Sequence, residues 1–333
     1  MTWVAANIIL CVLVYSLRDM IQSSLAPLVW VLIILMVINL VGWAVAQSSG
    51  QLNNFVEADY ATSVFRAKGL FLEPNLYAAF ATLAMAAVYV WSRAIPQGLY
   101  WLFATLAGVS VFLTFTRVAW VAFALLLGAS LVKFLHRRPV AQTFGILFVI
   151  AVLILAVLNT DAGPTSRSGD PLFDATLGRI TGLLNTEQGT GYTRVLTIDS
   201  ALSDLTTMNS WWTGFGFNGY SQVHDAGVTS YARAYLPTLW IAIFYDGGIL
   251  AGACFILAML IWWFSSRRAG STLFFLSFAV LAGATNNIWF AFPWVFGAII
   301  IAASGNPHVR STSITAVTSA NQLRGELTPT KPS

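Results

Sequence analysis

Charge is what this sequence has least of. Lys, Arg, Asp and Glu make up 9% of its 333 residues, against about 25% in a soluble domain. With 57% hydrophobic residues and a mean hydropathy of +0.74, an ordinary soluble fold is excluded and an integral membrane protein is implied. Cysteine is almost missing: Cys11 and Cys254 both fall inside apolar runs, so neither a disulfide framework nor a metal site is supported. The short alternating segments of a β-barrel are missing too. The apolar stretches are continuous, mostly about 16–21 residues, which favours an all-α fold. No internal repeat is visible, so an inverted-repeat transporter gains no support. The net charge of +4 does not point to nucleic acid, because the basic residues flank apolar spans, where topology explains them.

What is present is a series of nine spans, near 3–16, 26–46, 75–91, 98–115, 118–134, 139–158, 235–264, 271–285 and 288–304. The seventh is too long for one crossing at ~1.5 Å per residue over ~30 Å of hydrocarbon. Its expected crossing is 247–264, with 235–245 ahead of it as a re-entrant or interfacial segment. The first run has no basic leader and no small-residue cleavage site, and reads as a short or truncated span rather than a signal peptide. Thirteen Trp and 23 Phe fit interfacial belts and lipid-facing surfaces.

Basic residues set the orientation. Ten of the seventeen Lys and Arg, including Arg18, Arg93, Lys133, Arg137, Arg267 and Arg268, fall on one face, expected to be cytoplasmic. The opposite face receives 47–74, the Arg117 turn, 159–234, the Asn286-Asn287 turn and ten of the thirteen acids. In a bacterium it would be periplasmic. An outer-face N-terminus with so short a lead fits a chain whose upstream spans are missing. The expected organisation is a transmembrane block at 1–158, a periplasmic loop subdomain at 159–234, a second block at 235–304 and a disordered cytoplasmic tail at 305–333.

The long loop carries two stretches with helical spacing for the membrane surface, 171–184 and 193–205. Thr193 is a plausible N-cap of the second. Between Trp211, Trp212 and Tyr220 aromatics alternate with glycines, offering ring faces to a sugar or a belt to the bilayer. Four Arg against seven acids leave the loop at net −3. Phosphate binding there must come from individually placed arginines, whose planar fork grips two oxygens at once.

Arg117 is the most informative position. It sits between two apolar runs with Thr116 as its polar neighbour. A guanidinium at the edge of hydrocarbon costs a few kcal/mol, and topology disfavours Arg on the outer face. The bland reading is snorkelling at a helix end. Arg66 could be a solvated loop residue, Arg194 could pair with Asp199 or Asp204 along its helix, and Arg233 lies just before the re-entrant segment. His224 reads as a loop residue or a base. Asp246 reads as a base or as the N-cap of the span after Gly247. Glu73 suits the start of a helix or a place near an anionic donor.

Two patterns resemble the O-antigen ligase/polymerase family of membrane glycosyltransferases. Arg66-Ala-Lys-Gly69-Leu-Phe71-Leu-Glu-Pro74-Asn75 is similar to that family's Arg-x-x-Gly-x-Phe-x-x-Pro-Asn entering a span. Leu113-Thr114-Phe115-Thr116-Arg117 is close to its Leu-Thr-x-Ser-Arg between spans. The large loop with Arg194, then Gly214-Phe215-Gly216 and Gly247-Gly248-Ile249, follow in the family's order. The resemblance implies transfer of a polyprenyl-diphosphate-linked glycan at the periplasmic face of the inner membrane, without metal, nucleotide sugar or other cofactor. The acceptor would be lipid A-core for a ligase, or a lipid-linked glycan for a polymerase of lipopolysaccharide or exopolysaccharide. Arg66, Arg117 and Arg194, with Arg233, would bind the diphosphate; Trp211, Trp212 and Tyr220 would contact glycan; His224 and Asp246 are the candidate bases. The sequence departs from the family where ligases carry a His shortly before the pattern ending at Gly248. Here Pro237-Thr238 stands in its place, which moves weight toward a polymerase. The rivals are an anion or polysaccharide transporter and a non-catalytic assembly protein.

Overall fold

The computed structural model describes residues 2–17, 20, 24–59, 64–92, 94–135, 189–224, 236–265, 269–283, 285 and 291–304. The sixth expected span, the surface helix at 171–184, Arg233, the Asn286-Asn287 turn and the tail lie outside these residues.

The elements in chain order are α1 (Thr2–Ser16), α2 (Leu25–Ser49), β1 (Val56–Asp59), β2 (Val64–Ala67), α3 (Pro74–Trp91), α4 (Gln97–Leu113), α5 (Arg117–Leu135), α6 (Gly189–Thr207), α7 (Gly219–His224), α8 (Leu239–Ser265), α9 (Ala269–Ala282) and α10 (Ala291–Ser304). The chain is thus mostly helical. Three helices, Leu25–Ser49, Pro74–Trp91 and Leu239–Phe264, are long and apolar enough to cross a membrane.

The bundle is organised around α3, which packs against α4, α5, α9 and α10. Its sequence explains this position. Ala78, Ala79, Ala81, Ala84, Ala86 and Ala87 are all fully buried. Small side chains let neighbouring helices approach closely, and in lipid that contact drives association in place of the hydrophobic effect. The hydroxyl of Tyr77 donates to Ser110 Oγ at 2.9 Å, sparing the ~1–3 kcal/mol that a buried unsatisfied hydroxyl costs. The helix starts where it does because Pro74 takes its first position, and Glu73 before it is extended (φ −138°, ψ 148°).

The segment 47–74 holds more order than the all-α expectation allowed. β1 and β2 form an antiparallel pair with Glu57 opposite Arg66. These strands are too short for alternation to reveal them in the sequence. Tertiary contacts fix them: Trp43 Nε1 donates to the Phe65 carbonyl at 2.8 Å, Val64 packs on Phe115, and Ala67 packs beside Tyr77 and Leu113.

The seventh span is one helix, α8, broken at Gly248 (φ 65°, ψ −168°). The expected boundary near Gly247 is therefore real, but the residues from Leu239 onward are helical and continuous with the crossing. The N–H that the break releases is satisfied from outside the helix: Ile249 N donates to the Trp211 carbonyl at 2.7 Å. A break inside an apolar helix persists only with partners of this kind.

Candidate functional site

Two polar clusters flank the start of α3 and the break in α8. The first is built on Arg66. Its Nε donates to the Thr114 carbonyl at 3.0 Å and its Nη2 to Asn75 Oδ1 at 3.4 Å. Its Nη1 lies 3.8 Å from Glu57 Oε1, with the Arg66 side chain 13% exposed. The turn between α4 and α5 is wound tightly beside it. Thr114 Oγ1 donates to the Val111 carbonyl and accepts from Thr116 N, while Phe115 takes a left-handed φ of 53° and is buried against Val64. Thr116 Oγ1 then donates to the same Asn75 Oδ1 at 3.0 Å. Arg117 follows at the first residue of α5. A cation at that end of a helix opposes the helix dipole, so the chain concentrates positive charge here at a cost.

Arg194, on the first half of α6, completes the group. It and Arg66 both act electrostatically on the carboxyl of Glu73. Burial, reinforced by the negative Glu57, pushes the Glu73 carboxyl above the ordinary carboxylate range, and the Arg194 and Arg66 guanidiniums pull it part of the way back. The structure thus brings Arg66, Arg117 and Arg194 to one end of the bundle, from three elements far apart in sequence. Asn75, which holds Arg66 and Thr116 at once, was visible in the sequence only as part of a motif and had no role assigned.

The second cluster is built on Asp204. His224 Nε2 lies 2.7 Å from Asp204 Oδ2, and Tyr245 Oη donates to the same oxygen at 2.9 Å. His224 is therefore not a solvated loop residue, and Asp204 is taken by His224 and Tyr245 rather than reserved for Arg194. Tyr220 lies tilted against His224 with centroids 4.2 Å apart, and Phe215 stacks on Tyr245 at 4.6 Å. Asp204 follows Arg194 by ten residues on α6, a rise of about 15 Å along the axis.

The 211–220 turn is strapped to the break in α8. Phe215 N donates to the Tyr245 carbonyl and Gly216 N to the Asp246 carbonyl, each at 2.8 Å. Asp246 accepts from Asn218 N and Gly219 N at 3.0 and 3.1 Å through its two carboxylate oxygens. It caps α7, not the helix after Gly247 as the sequence suggested. Trp211, Phe215 and Tyr220 pack inward on Ala201, Leu205 and Tyr245. Trp212 and Phe217 are the rings of this turn that remain exposed. Of the three candidate glycan contacts, Trp212 is the one left open, at 71% exposure.

Among the described residues no three His, Cys, Asp or Glu side chains converge as ligands for a metal ion. No family model matches this chain, and no curated protein matches it.

Proposed function

We propose that this protein is a bacterial inner-membrane glycosyltransferase that moves a polyprenyl-diphosphate-linked glycan onto an acceptor at the periplasmic face. The acceptor is lipid A-core, as for an O-antigen ligase, or a second lipid-linked glycan, as for a polysaccharide polymerase. The observation that carries this reading is that Asn75 holds Arg66 and Thr116, the residue before Arg117, while Arg66 and Arg194 both act on the Glu73 carboxyl two residues away. The leaving group of such a transfer is a lipid diphosphate. Guanidiniums fixed in advance where its charge develops lower the barrier directly, and each can grip two oxygens. The large loop, with α6 and α7, would form a periplasmic lid over this end, and the tail would be cytoplasmic.

A transporter of anions or polysaccharide would place charge-handling groups deep between the helices. Among the described residues every fully buried polar side chain is a neutral amide or hydroxyl. That favours chemistry at the membrane surface over passage through the middle.

Two measurements test the reading. The full chain in nanodiscs should bind undecaprenyl diphosphate, and Arg117→Lys should lose that binding and glycan transfer while still accumulating in the membrane, because a point charge cannot reproduce the fork. Undiminished binding and transfer in Arg117→Lys would overturn the assignment. In a deletion strain, uncapped lipid A-core identifies a ligase and single-repeat capping a polymerase. An unchanged envelope glycan would remove both.

A further inference from the structure

Glycan transfer to a hydroxyl needs a proton acceptor within about 2.6–3.2 Å of that hydroxyl. His224 is bound to Asp204, about 15 Å along α6 from Arg194, and Asp246 has both oxygens committed to the cap of α7. Resting on the glycosyltransferase reading above, we infer that Glu73 is the general base of the transfer, taking the proton of the acceptor hydroxyl while Arg66 and Arg194 hold the departing diphosphate.

The placement is specific. Glu73 sits two residues before Asn75, the side chain that fixes Arg66 and the start of α5. It occupies the N-cap position of α3, yet its carboxylate makes no cap bond and has no side-chain hydrogen bond among the described residues. Among the described residues its acceptor capacity is unspent. The charged groups acting on it come from three other elements: Glu57 on β1, Arg66 on β2 and Arg194 on α6. Both guanidiniums assigned to the leaving group act on this one half-buried carboxyl. Burial and the neighbouring Glu57 also raise its affinity for a proton, which suits a base working nearer neutral pH.

The step balances without a further reactant. The acceptor oxygen forms a bond to the anomeric carbon as that carbon's bond to the diphosphate oxygen breaks. The bonding pair leaves on the phosphate oxygen, where the guanidiniums meet it. The hydroxyl proton ends on the Glu73 carboxylate and passes from there to water.

The test uses the full chain, with undecaprenyl diphosphate in nanodiscs as the binding probe and complementation of a deletion strain as the transfer readout. Glu73→Gln should bind the probe at least as tightly as wild type, since a negative charge has left an anion site, while transfer falls about 100-fold or more. Glu73→Asp should bind equally well and transfer better than Glu73→Gln. Wild-type transfer by Glu73→Gln overturns the assignment and leaves the glycosyltransferase reading standing. Loss of probe binding together with transfer also overturns it, because Glu73 then holds the pocket rather than moving a proton. If Glu73→Gln does not accumulate, Glu73→Asp decides: reduced transfer with intact binding supports the base, and unchanged transfer refutes it. A wild-type chain that neither binds the probe nor restores glycan removes the underlying reading instead.

Discussion

Thr116 Oγ1 donates to Asn75 Oδ1 across 3.0 Å, tying the residue before α5 to the first turn of α3. The same oxygen receives Arg66 Nη2, so one amide sets the positions of a guanidinium and of the turn that presents Arg117. Asn75→Leu removes the acceptor for both while keeping the branched shape of the side chain. A hydrogen bond to a charged group contributes about 1.5–3 kcal/mol, and ~1.4 kcal/mol is tenfold in affinity. Undecaprenyl diphosphate binding should therefore weaken at least about tenfold. Asn75→Asp should do worse, since its carboxylate would sit on Arg66 in place of the ligand. Equal, mild effects of both substitutions on probe binding would show that Asn75 does not organise an anion site.

Glu73 gives the site a pH signature in stability. Its carboxyl titrates above the ordinary range in the folded chain, with burial as the leading cause. A raised acid favours folding while protonated, and that contribution is lost as pH rises through the folded-state value. Above the ordinary carboxylate value its burial thus works against the fold. Glu73→Gln should melt at higher temperature than wild type at pH 7 in the same detergent. The difference should shrink as pH falls below the ordinary carboxylate value. A gap that stays constant across that window, or a Gln variant that melts lower at pH 7, contradicts the burial seen here.

The helices were legible in the sequence because uninterrupted apolar runs have few other solutions. Arg117 stood out for a related reason, since charge is expensive beside hydrocarbon, whereas Arg66 and Arg194 stood out only through the family patterns around them. The hairpin was not legible. Its strands are short, and the contacts that fix them, from Trp43 and Phe115, are distant in sequence. Nor could spacing assign Asp246, whose hydrogen bonds go to Asn218 and Gly219 across a separate segment. The aromatics of the 211–220 turn stayed open to more than one reading for a third reason. Rings and glycines suit an interface belt as well as a strap, and only the close approach to α8 separates the two.

That close approach depends on Gly248. A Cβ there would run into the Trp212 carbonyl, and the backbone is left-handed. Left-handed strain for a non-glycine residue alone is of order 1–3 kcal/mol. Gly248→Ala should lower the melting temperature and open the 211–220 turn to protease, whereas Gly98→Ala, with nothing near the added methyl, should do neither. Equal protease resistance of the two variants would mean that the turn is held by something other than the break in α8.

Asp204 separates a structural role from a chemical one. Its Oδ2 takes both His224 and Tyr245, joining α6, α7 and α8 around a small apolar core. The pair His–carboxylate is a familiar base arrangement, but the distance from Arg194 argues that here it fastens α6 to α7 and α8. Tyr245→Phe should then cost about 1–3 kcal/mol of stability through the carboxylate oxygen it leaves short of a donor, and Asp204→Asn a similar amount. The double variant should cost less than the sum, because the two residues share one bond. Undecaprenyl diphosphate binding should survive in all three. If Asp204→Asn instead abolished transfer with melting unchanged, the proton acceptor would lie at His224, and Glu73 would lose its part in the reaction.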